Sequence, residues 1–135
     1  MNKKRITVNS RDFLKLKQII KTGAMSRNIN AKNLDAELSN AVILEPEKIP
    51  PNLITMNTRV SFRDLTESEV FVYTIVYPEE ADIEKGKLSV FAPIGTALLG
   101  YKEGEEVAWH VPAGLKSFRV EKILYQPEAD GNYYL

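Results

Sequence analysis

The first third of the chain has two stretches in which apolar residues recur at the helical period. The first stripe is Phe13, Leu16, Ile19 and Ile20, and the second is Ala31, Leu34, Leu38, Ala41 and Val42. The first predicts a helix over residues 11–21, which Asn9 or Ser10 can cap and in whose first turn Asp12 is favourable. Because the nine residues 22–30 between the stripes are mostly small or polar, we expect an antiparallel helical hairpin.

Beyond residue 52 the pattern becomes that of β-strands. Alternating apolar and polar residues over 56–63 predict a half-buried strand. Residues 70–77 are apolar at nearly every position, which predicts a central strand covered on both faces and ended by Pro78. Residues 107–111 and 118–125 predict two more strands. The last should contain a bulge or have a covered second face, because its alternation breaks between Val120 and Ile123.

A further strand and a short helix are predicted between these strands. Leu88 and Val90 suit a buried strand, Pro93 suits the first position of a helix, and Gly100 suits the position just after its end. The fold class is therefore α+β. We expect a short helical hairpin over 1–45, a proline-containing linker over 46–51, and an antiparallel sheet with one short helix over 52–135.

Composition limits the classes of protein to which this chain can belong. Its 135 residues are 44% apolar, enough for a hydrophobic core in one domain or two small units. No apolar run is long enough to span a bilayer, and the basic start at residues 3–5 lacks the apolar stretch of a signal peptide. The lack of cysteine excludes disulfides and thiolate metal sites. We expect a cytoplasmic protein with no membrane association.

The formal net charge is zero, but the charges are unevenly distributed. Residues 1–32 contain nine basic residues and one acidic residue, Asp12, so their net charge is +8 and that of the remainder is −8. A basic unit of this kind suits an anionic neighbour, such as nucleic acid or an acidic protein channel. A solvated basic helix face explains the pattern equally well, and the sequence alone leaves both interpretations open.

The sequence offers little support for catalysis. His110 is the only histidine, which excludes a histidine-based metal cluster, and no serine lies in a nucleophile-elbow pattern. Acidic residues concentrate in two turns, 79–84 and 103–106, but charge-rich turns are usually solvated. Gly95, Gly100 and Gly104 are not followed by the Lys-Ser/Thr of a P-loop. We predict no catalytic, cofactor-binding or metal-binding residues.

The run Lys87-Leu-Ser-Val-Phe-Ala-Pro-Ile-Gly-Thr-Ala-Leu-Leu-Gly100, which continues to Trp109, carries a family resemblance. It resembles the C-terminal domain of the bacterial Gre transcript-cleavage factors, where a strand leads through Ser-Pro into a short Ala-x-Ala-Leu helix. This resemblance implies an FKBP-like second unit, a coiled coil as the first, and core RNA polymerase as the partner. Segments 54–63, 75–78 and 126–135 narrow it to a smaller group of Gre-like proteins with a shorter coiled coil.

The tip of the hairpin departs from the Gre pattern. Gre factors present acidic side chains there, which help to hold a metal ion that activates water in the polymerase active centre. Residues 22–30 contain no Asp or Glu, and the candidate channel contacts are Met25, Ser26, Arg27 and Asn28. A helix of about twelve residues also rises only about 18 Å. The resemblance therefore implies a protein that occupies the secondary channel without cleavage activity and competes with other channel-binding factors.

The resemblance implies that docking on the polymerase falls to the turn before the short helix. In Gre-like proteins this Ser-Pro turn contacts the coiled-coil rim of the channel. The candidate polymerase-binding residues here are Phe91, Ala92, Pro93 and Ile94, and Ala92 stands in place of the serine. Phe91 would be either an anchor at the interface or a core residue, and both interpretations remain open.

Two other function classes fit parts of the sequence. An FKBP-like fold is compatible with a peptidyl-prolyl isomerase in which Trp109 or Tyr73 lines an apolar pocket, although fold does not establish function. The basic hairpin is compatible with a free nucleic-acid-binding module, but it lacks the interleaved aromatic residues that stack on bases. We expect a monomeric, non-enzymatic regulator that contacts nucleic acid at most indirectly.

Overall fold

The computed structural model describes residues 5–23 and 28–133. These residues form three α-helices and seven β-strands. The helices are α1 (Ser10–Lys21), α2 (Ile29–Ser39) and α3 (Pro93–Leu98), and the strands are β1 (Thr7–Asn9), β2 (Val42–Leu44), β3 (Arg59–Asp64), β4 (Val70–Val76), β5 (Lys87–Ser89), β6 (Glu106–Val111) and β7 (Gly114–Tyr125). Across these ranges, no helix combines the length and apolar character needed to cross a membrane.

Helices α1 and α2 form the expected hairpin. Asn9 caps α1, because its side-chain oxygen accepts a hydrogen bond from the Asp12 N–H at 2.7 Å. The Lys17 ammonium group of α1 links the two helices, because it donates to Asp35 Oδ1 and Ser39 Oγ of α2, both at 2.8 Å. At the base of the hairpin, the Val42 N–H donates to the Ile6 carbonyl at 2.9 Å.

Two short strands at the base of the hairpin were not expected from the sequence. β1 and β2 pair in parallel, with Thr7 opposite Val42 and Asn9 opposite Leu44. Strands of three residues are too short to show an alternating pattern, so only the tertiary arrangement reveals them. Their pairing brings the start of α1 beside the exit of α2.

The larger sheet has the strand order β5-β4-β3-β7-β6. Its neighbours are antiparallel except for β4 and β5, which are parallel. The expected antiparallel sheet is therefore wrong at this edge, and the sheet is mixed. The chain crosses from β4 to β5 through two 3-10 turns, Pro78–Glu80 and Ile83–Lys85. A hydrophobic pattern carries no information on strand direction, so it does not predict this parallel crossover. The assignment of the second unit to an FKBP-like fold stays a prediction.

The bulge expected in the last strand is present. β7 pairs with β3 along most of its length, and their register shifts between Arg59 and Val60 and between Ser61 and Phe62. Phe62 lies opposite Val120, whereas Ser61 lies opposite Lys122, so one extra residue occupies β7 at this point. Because of this extra residue, the apolar side chains before and after the bulge face the same side of the sheet.

One hydrophobic cluster joins the hairpin, the sheet and α3. It includes Leu16 and Leu38 from the hairpin, Phe62 from β3 and Leu98 from α3, all fully buried. Burial of each such side chain stabilises the fold by about 1.5–3 kcal/mol. The connection at 46–51 also contributes, since Pro46 is buried within a 3-10 turn. The division of the chain at this connection stays a prediction.

The opposite face of the sheet is open to solvent along part of β4. Val70 and Val72 are 45% and 40% exposed, whereas Ile75 and Val76 at the end of the strand are buried. The expectation that this strand is covered on both faces is therefore wrong for its first half. Val76 is on the same face of the strand as Val70 and Val72 but is buried, so this face is covered only at the end of β4.

Candidate functional site

The turn between β5 and α3 is held by main-chain hydrogen bonds. Ala92 has the extended backbone of a helix cap, with φ −75° and ψ 152°, and Pro93 is the first helical residue. The Ala92 N–H donates to the Ser89 carbonyl at 3.0 Å, and the Thr96 N–H donates to the Ala92 carbonyl at 2.9 Å. The Phe91 N–H adds a bond to Ser89 Oγ at 3.1 Å. The turn therefore has one defined backbone path.

Gly95 allows this turn to lie directly against α3. A Cβ atom at Gly95 would be 2.2 Å from the Ser89 carbonyl oxygen, so no larger residue fits without movement of the backbone. The next residue, Thr96, donates its hydroxyl hydrogen to the Val90 carbonyl. The turn and the first turn of α3 consequently behave as one packed unit.

The four candidate polymerase-binding residues divide into two groups. Ala92, Pro93 and Ile94 are half-buried and reach the surface. Phe91 is only 4% exposed and belongs to the hydrophobic cluster, so its side chain packs in the core rather than at the surface of the turn. Of the two interpretations of Phe91, the structure favours the core residue. We name the surface formed by Ala92, Pro93 and Ile94 the apolar knuckle.

The candidate tip residues Met25, Ser26 and Arg27 lie outside the described residues. Asn28, the fourth, caps α2: its side-chain oxygen accepts from the N–H groups of Asn30 and Ala31 at 2.8 and 3.1 Å. The side-chain oxygen of Asn28 is therefore engaged as the N-terminal cap of α2. With 12 residues in α1 and 11 in α2, each arm of the hairpin is about 18 Å long or slightly less.

The described part of the hairpin has a basic outer surface. Arg11, Lys15, Lys21 and Lys32 are exposed. Lys17 is paired with Asp35, and its side chain is 32% exposed. The single acidic residue of the first 32, Asp12, does not offset this surface because it is 5% exposed.

Asp12 belongs to a buried polar network that the sequence reasoning missed. Its Oδ2 atom accepts from the Met56 N–H at 3.1 Å, and its Oδ1 atom accepts from the Tyr77 hydroxyl at 3.2 Å. Close by, the carboxylate of Glu128 accepts from the Asn9 side-chain amide and, at 2.7 Å, from the Thr55 hydroxyl. We name this group of five contacting side chains and one backbone N–H the polar joint: Asn9, Asp12, Thr55, Tyr77 and Glu128, with the Met56 N–H.

A signal for the polar joint does exist in the sequence. Asp12 precedes Leu16 by four residues, which places it on the buried stripe of α1 rather than on its wet face. The partner Glu128 is 116 residues further along the chain, and no local pattern connects the two. Only the tertiary structure shows that the carboxyl groups of Asp12 and Glu128 share one buried region.

Burial dominates the electrostatics of the polar joint. Burial, with a smaller contribution from the negative charge of Glu128, raises the pKa of Asp12 from 3.8 to about 7, although the hydrogen bonds from Met56 and Tyr77 and the charge of Lys15 act in the opposite direction. Burial, together with the neighbouring Asp12, also raises the pKa of the Tyr77 hydroxyl. Asp12 is therefore a carboxyl group that titrates near neutral pH inside the protein.

The residues proposed for an isomerase pocket are used in packing. Tyr73 stacks in an aromatic group, with its ring centroid 6.0 Å from that of Phe62 and 6.3 Å from that of Phe71. Trp109 is partly buried against the hydrophobic cluster. A shallow groove of about 250 Å³ near the end of β7 is lined by other residues, among them Leu124, Tyr125 and Asp130. Among the side chains that the structure describes, which do not include that of His110, no three His, Asp or Glu groups are placed to hold a metal ion.

Comparison with protein families identifies the family to which this architecture belongs. Residues 49–125 match the family model described as "Transcription elongation factor, GreA/GreB, C-term". The chain belongs to the GreA/GreB family. The match covers β3 to β7, α3 and the apolar knuckle, which confirms the resemblance seen in the run from Lys87 to Trp109.

Individual relatives of this GreA/GreB family member agree with that placement. The chain is 38% identical over its full length to the full-length "Regulator of nucleoside diphosphate kinase" of Escherichia coli strain K12. It is 40% identical over 93 residues to the transcription elongation factor GreA of Prosthecochloris aestuarii, which is 67% of this chain and 58% of that protein. The match to the E. coli regulator supports the narrower group indicated by segments 54–63, 75–78 and 126–135.

A solved structure shares the fold. The "Prokaryotic transcription elongation factor GreA/GreB from Nitrosomonas europaea" superposes with a TM-score of 0.75 and is 36% identical in sequence. The match covers 89% of this chain and 99% of that one. Since the match covers almost the whole of that chain, the two proteins share one fold over most of their length.

Proposed function

We propose that this Gre-like protein is a transcription regulator that binds core RNA polymerase at the entrance of the secondary channel. There it occupies the channel without stimulating transcript cleavage and competes with other channel-binding factors. The observation that carries this proposal is the apolar knuckle, which lies within the segment matched to the GreA/GreB family. A monomer working in the bacterial cytoplasm would be sufficient for this role.

Docking is assigned to the apolar knuckle because its shape is set before binding. The main-chain bonds of Ser89, Ala92 and Thr96 and the close contact at Gly95 hold Ala92, Pro93 and Ile94 in one conformation. A preorganised surface loses little conformational entropy when a partner binds. Since Ala92 has no hydroxyl group, the contact it makes with the polymerase rim is apolar rather than a hydrogen bond.

The absence of cleavage activity is inferred from the acidic residues near the tip. Residues 22–30 contain no carboxylate. Among the acidic residues nearest in sequence, Asp12 is enclosed in the polar joint and Asp35 is bound to Lys17 at 2.8 Å. A carboxylate that holds a catalytic metal must reach the polymerase active centre. The hairpin arms of about 18 Å are short for that task.

Competition for one binding site tests the docking proposal. Core RNA polymerase is immobilised, saturated with this protein, and titrated with a Gre factor while the bound fraction of each protein is measured. We expect the Gre factor to displace this protein completely. Simultaneous binding of both at saturation would show that the two sites differ and would refute the proposal.

A backtracked elongation complex tests the second half of the proposal. The complex is incubated with magnesium and saturating protein, and RNA shortening is compared with that of polymerase alone. We expect no acceleration for the wild type or for a variant carrying Ser26→Asp and Asn30→Asp, because added charge does not lengthen the hairpin. Accelerated cleavage by the wild type would overturn the assignment of a passive role; activity gained only in the variant would refute the argument from length.

The name of the E. coli relative links that protein to nucleoside diphosphate kinase. For this chain we propose that any such effect is indirect and operates through transcription. The family match extends over the sheet and the knuckle, and the polymerase is the partner to which that surface is assigned. Purified nucleoside diphosphate kinase should therefore show no change in activity when this protein is added.

A further inference from the structure

The polar joint connects four parts of the chain that are far apart in sequence. Asn9 caps α1 and Asp12 lies in its first turn, whereas Thr55 and Met56 lie in the loop before β3. Tyr77 follows β4, and Glu128 lies in the segment after β7. Asp12 and Glu128 are 5% and 7% exposed. Two carboxyl groups thus hold the base of the hairpin and the C-terminal segment against the same loop, away from water.

We propose that this pair of carboxyl groups is a proton-operated clasp. With a proton on Asp12, the clasp holds α1 and the segment 126–132 firmly on the sheet; when that proton is lost, both elements loosen. The proposal concerns the folded protein itself and does not depend on the binding of polymerase.

The hydrogen bonds of the joint accommodate the protonated form. Protonated Asp12 keeps Oδ2 as an acceptor for the Met56 N–H and directs its own proton from Oδ1 to the Tyr77 hydroxyl oxygen, 3.2 Å away. Glu128 remains fully bonded, because the Asn9 amide donates to one of its oxygens and the Thr55 hydroxyl to the other. Only one negative charge then lies in the joint.

The ionised form places a second negative charge in the same enclosed region. Glu128 faces Asp12 from the C-terminal segment, and its charge opposes ionisation. The positive charges that face the joint, Lys15 and Arg11, are both on α1, and the Lys15 ammonium group is 4.5 Å from the centre of the Tyr77 ring. From the turn after β4, Glu80 adds further negative charge beside Tyr77. The loop before β3 contributes only the neutral groups of Thr55, Met56 and Thr58.

The direction of the pH effect follows from the two states of Asp12. Its pKa is about 7 when enclosed and 3.8 in an open chain, so the closed form binds more protons between these values. The contribution to stability is complete below pH 3.8 and falls as the pH rises to about 7. Within this window the equilibrium constant for opening should increase by about tenfold per pH unit.

Amide hydrogen exchange and a carboxyl titration test the clasp. We expect a 13C titration of the wild-type Asp12 carboxyl to have its midpoint near pH 7. After correction for intrinsic rates, the protection of amides in α1 and at residues 129–132 should decrease at least about tenfold between pH 5.5 and 7.5. Asp12→Asn, which keeps an acceptor for Met56 and carries no titrating group, should remove this pH dependence.

A matched control and clear contrary results make the test decisive. Asp35→Asn removes a hairpin carboxylate whose side chain is 44% exposed, and it should leave the pH response of α1 unchanged. An Asp12 midpoint below pH 5, or protection of α1 that does not vary with pH, would refute the clasp. The same pH response in Asp12→Asn as in the wild type would also refute it. Both wild-type measurements decide the matter even if the variant fails to fold.

Discussion

The apolar knuckle and the polar joint keep their shapes by different means. At the knuckle, main-chain hydrogen bonds and the backbone contact at Gly95 define the turn, so surface side chains are free to vary without loss of structure. At the polar joint, side-chain groups make the contacts, and one of them titrates near neutral pH. We infer that this fold separates the surface proposed for docking, which is rigid, from the joint whose strength is proposed to depend on protonation.

The largest effect is expected from Gly95→Ala. The new methyl group would be 2.2 Å from the Ser89 carbonyl oxygen, and because this oxygen belongs to the main chain, the backbone itself would have to shift. We expect the free energy of unfolding to decrease by about 3 kcal/mol, measured by urea denaturation. Gly104→Ala is the control: this glycine has φ +87° but no atom within 4 Å of the new Cβ, so we expect a loss of only about 1 kcal/mol. Equal losses would mean that the close contact is not limiting.

Thr55→Val tests whether side chains hold the joint. The substitution preserves shape but removes the hydroxyl group that donates to Glu128 at 2.7 Å and is 2.9 Å from the Thr58 hydroxyl. Because a buried carboxylate oxygen loses its donor, we expect a loss of about 2 kcal/mol in thermal or urea unfolding. The exposed Thr66→Val should change stability by less than about 0.5 kcal/mol. A neutral result at Thr55 would contradict the role assigned to the joint.

Pro93→Asn tests the knuckle as a binding surface. Proline at the first helical position is mainly a local preference, so the melting temperature should hardly change. Polymerase binding should weaken by about tenfold, equal to about 1.4 kcal/mol, measured with labelled protein and core enzyme. Pro78→Asn, at the equivalent position of the 3-10 turn after β4, should leave affinity unchanged. A large loss of stability with unaltered affinity would instead make Pro93 a structural residue.

The smallest effect on stability is expected at Asp64, a carboxylate whose contribution depends on pH in the opposite direction to that of Asp12. Asp64 accepts from the Lys116 ammonium group at 3.1 Å, and this bond, with others from Thr66 and Glu67 N–H groups, lowers its pKa. Its contribution to stability is present above pH 3.8 and is lost as the pH falls through the lower folded value. Between pH 6 and 2.5 the stability difference between wild type and Asp64→Asn should shrink, in urea titrations at each pH.

Local patterns were sufficient where the interactions are local. The helices of the hairpin, the helix that begins at Pro93 and the bulge near Val120 were all expected from periodicity and end signals. The parallel pairing of β5 with β4 was not, since side-chain alternation is the same for either strand direction. The candidate surface was predicted as four residues, and the structure places the side chain of one of them, Phe91, in the core.

The sequence by itself determined the α+β class, the hairpin, the GreA/GreB resemblance and the lack of carboxylates over residues 22–30. These depend on the order of residues within short windows, which sets local backbone preference and side-chain chemistry. Tertiary structure alone decided the mixed sheet, the burial of Phe91 and the burial of Asp12 near the charge of Glu128. The pKa of a carboxyl group depends on the water and charges around it, and for Asp12 those are set by residues as far away in sequence as Glu128.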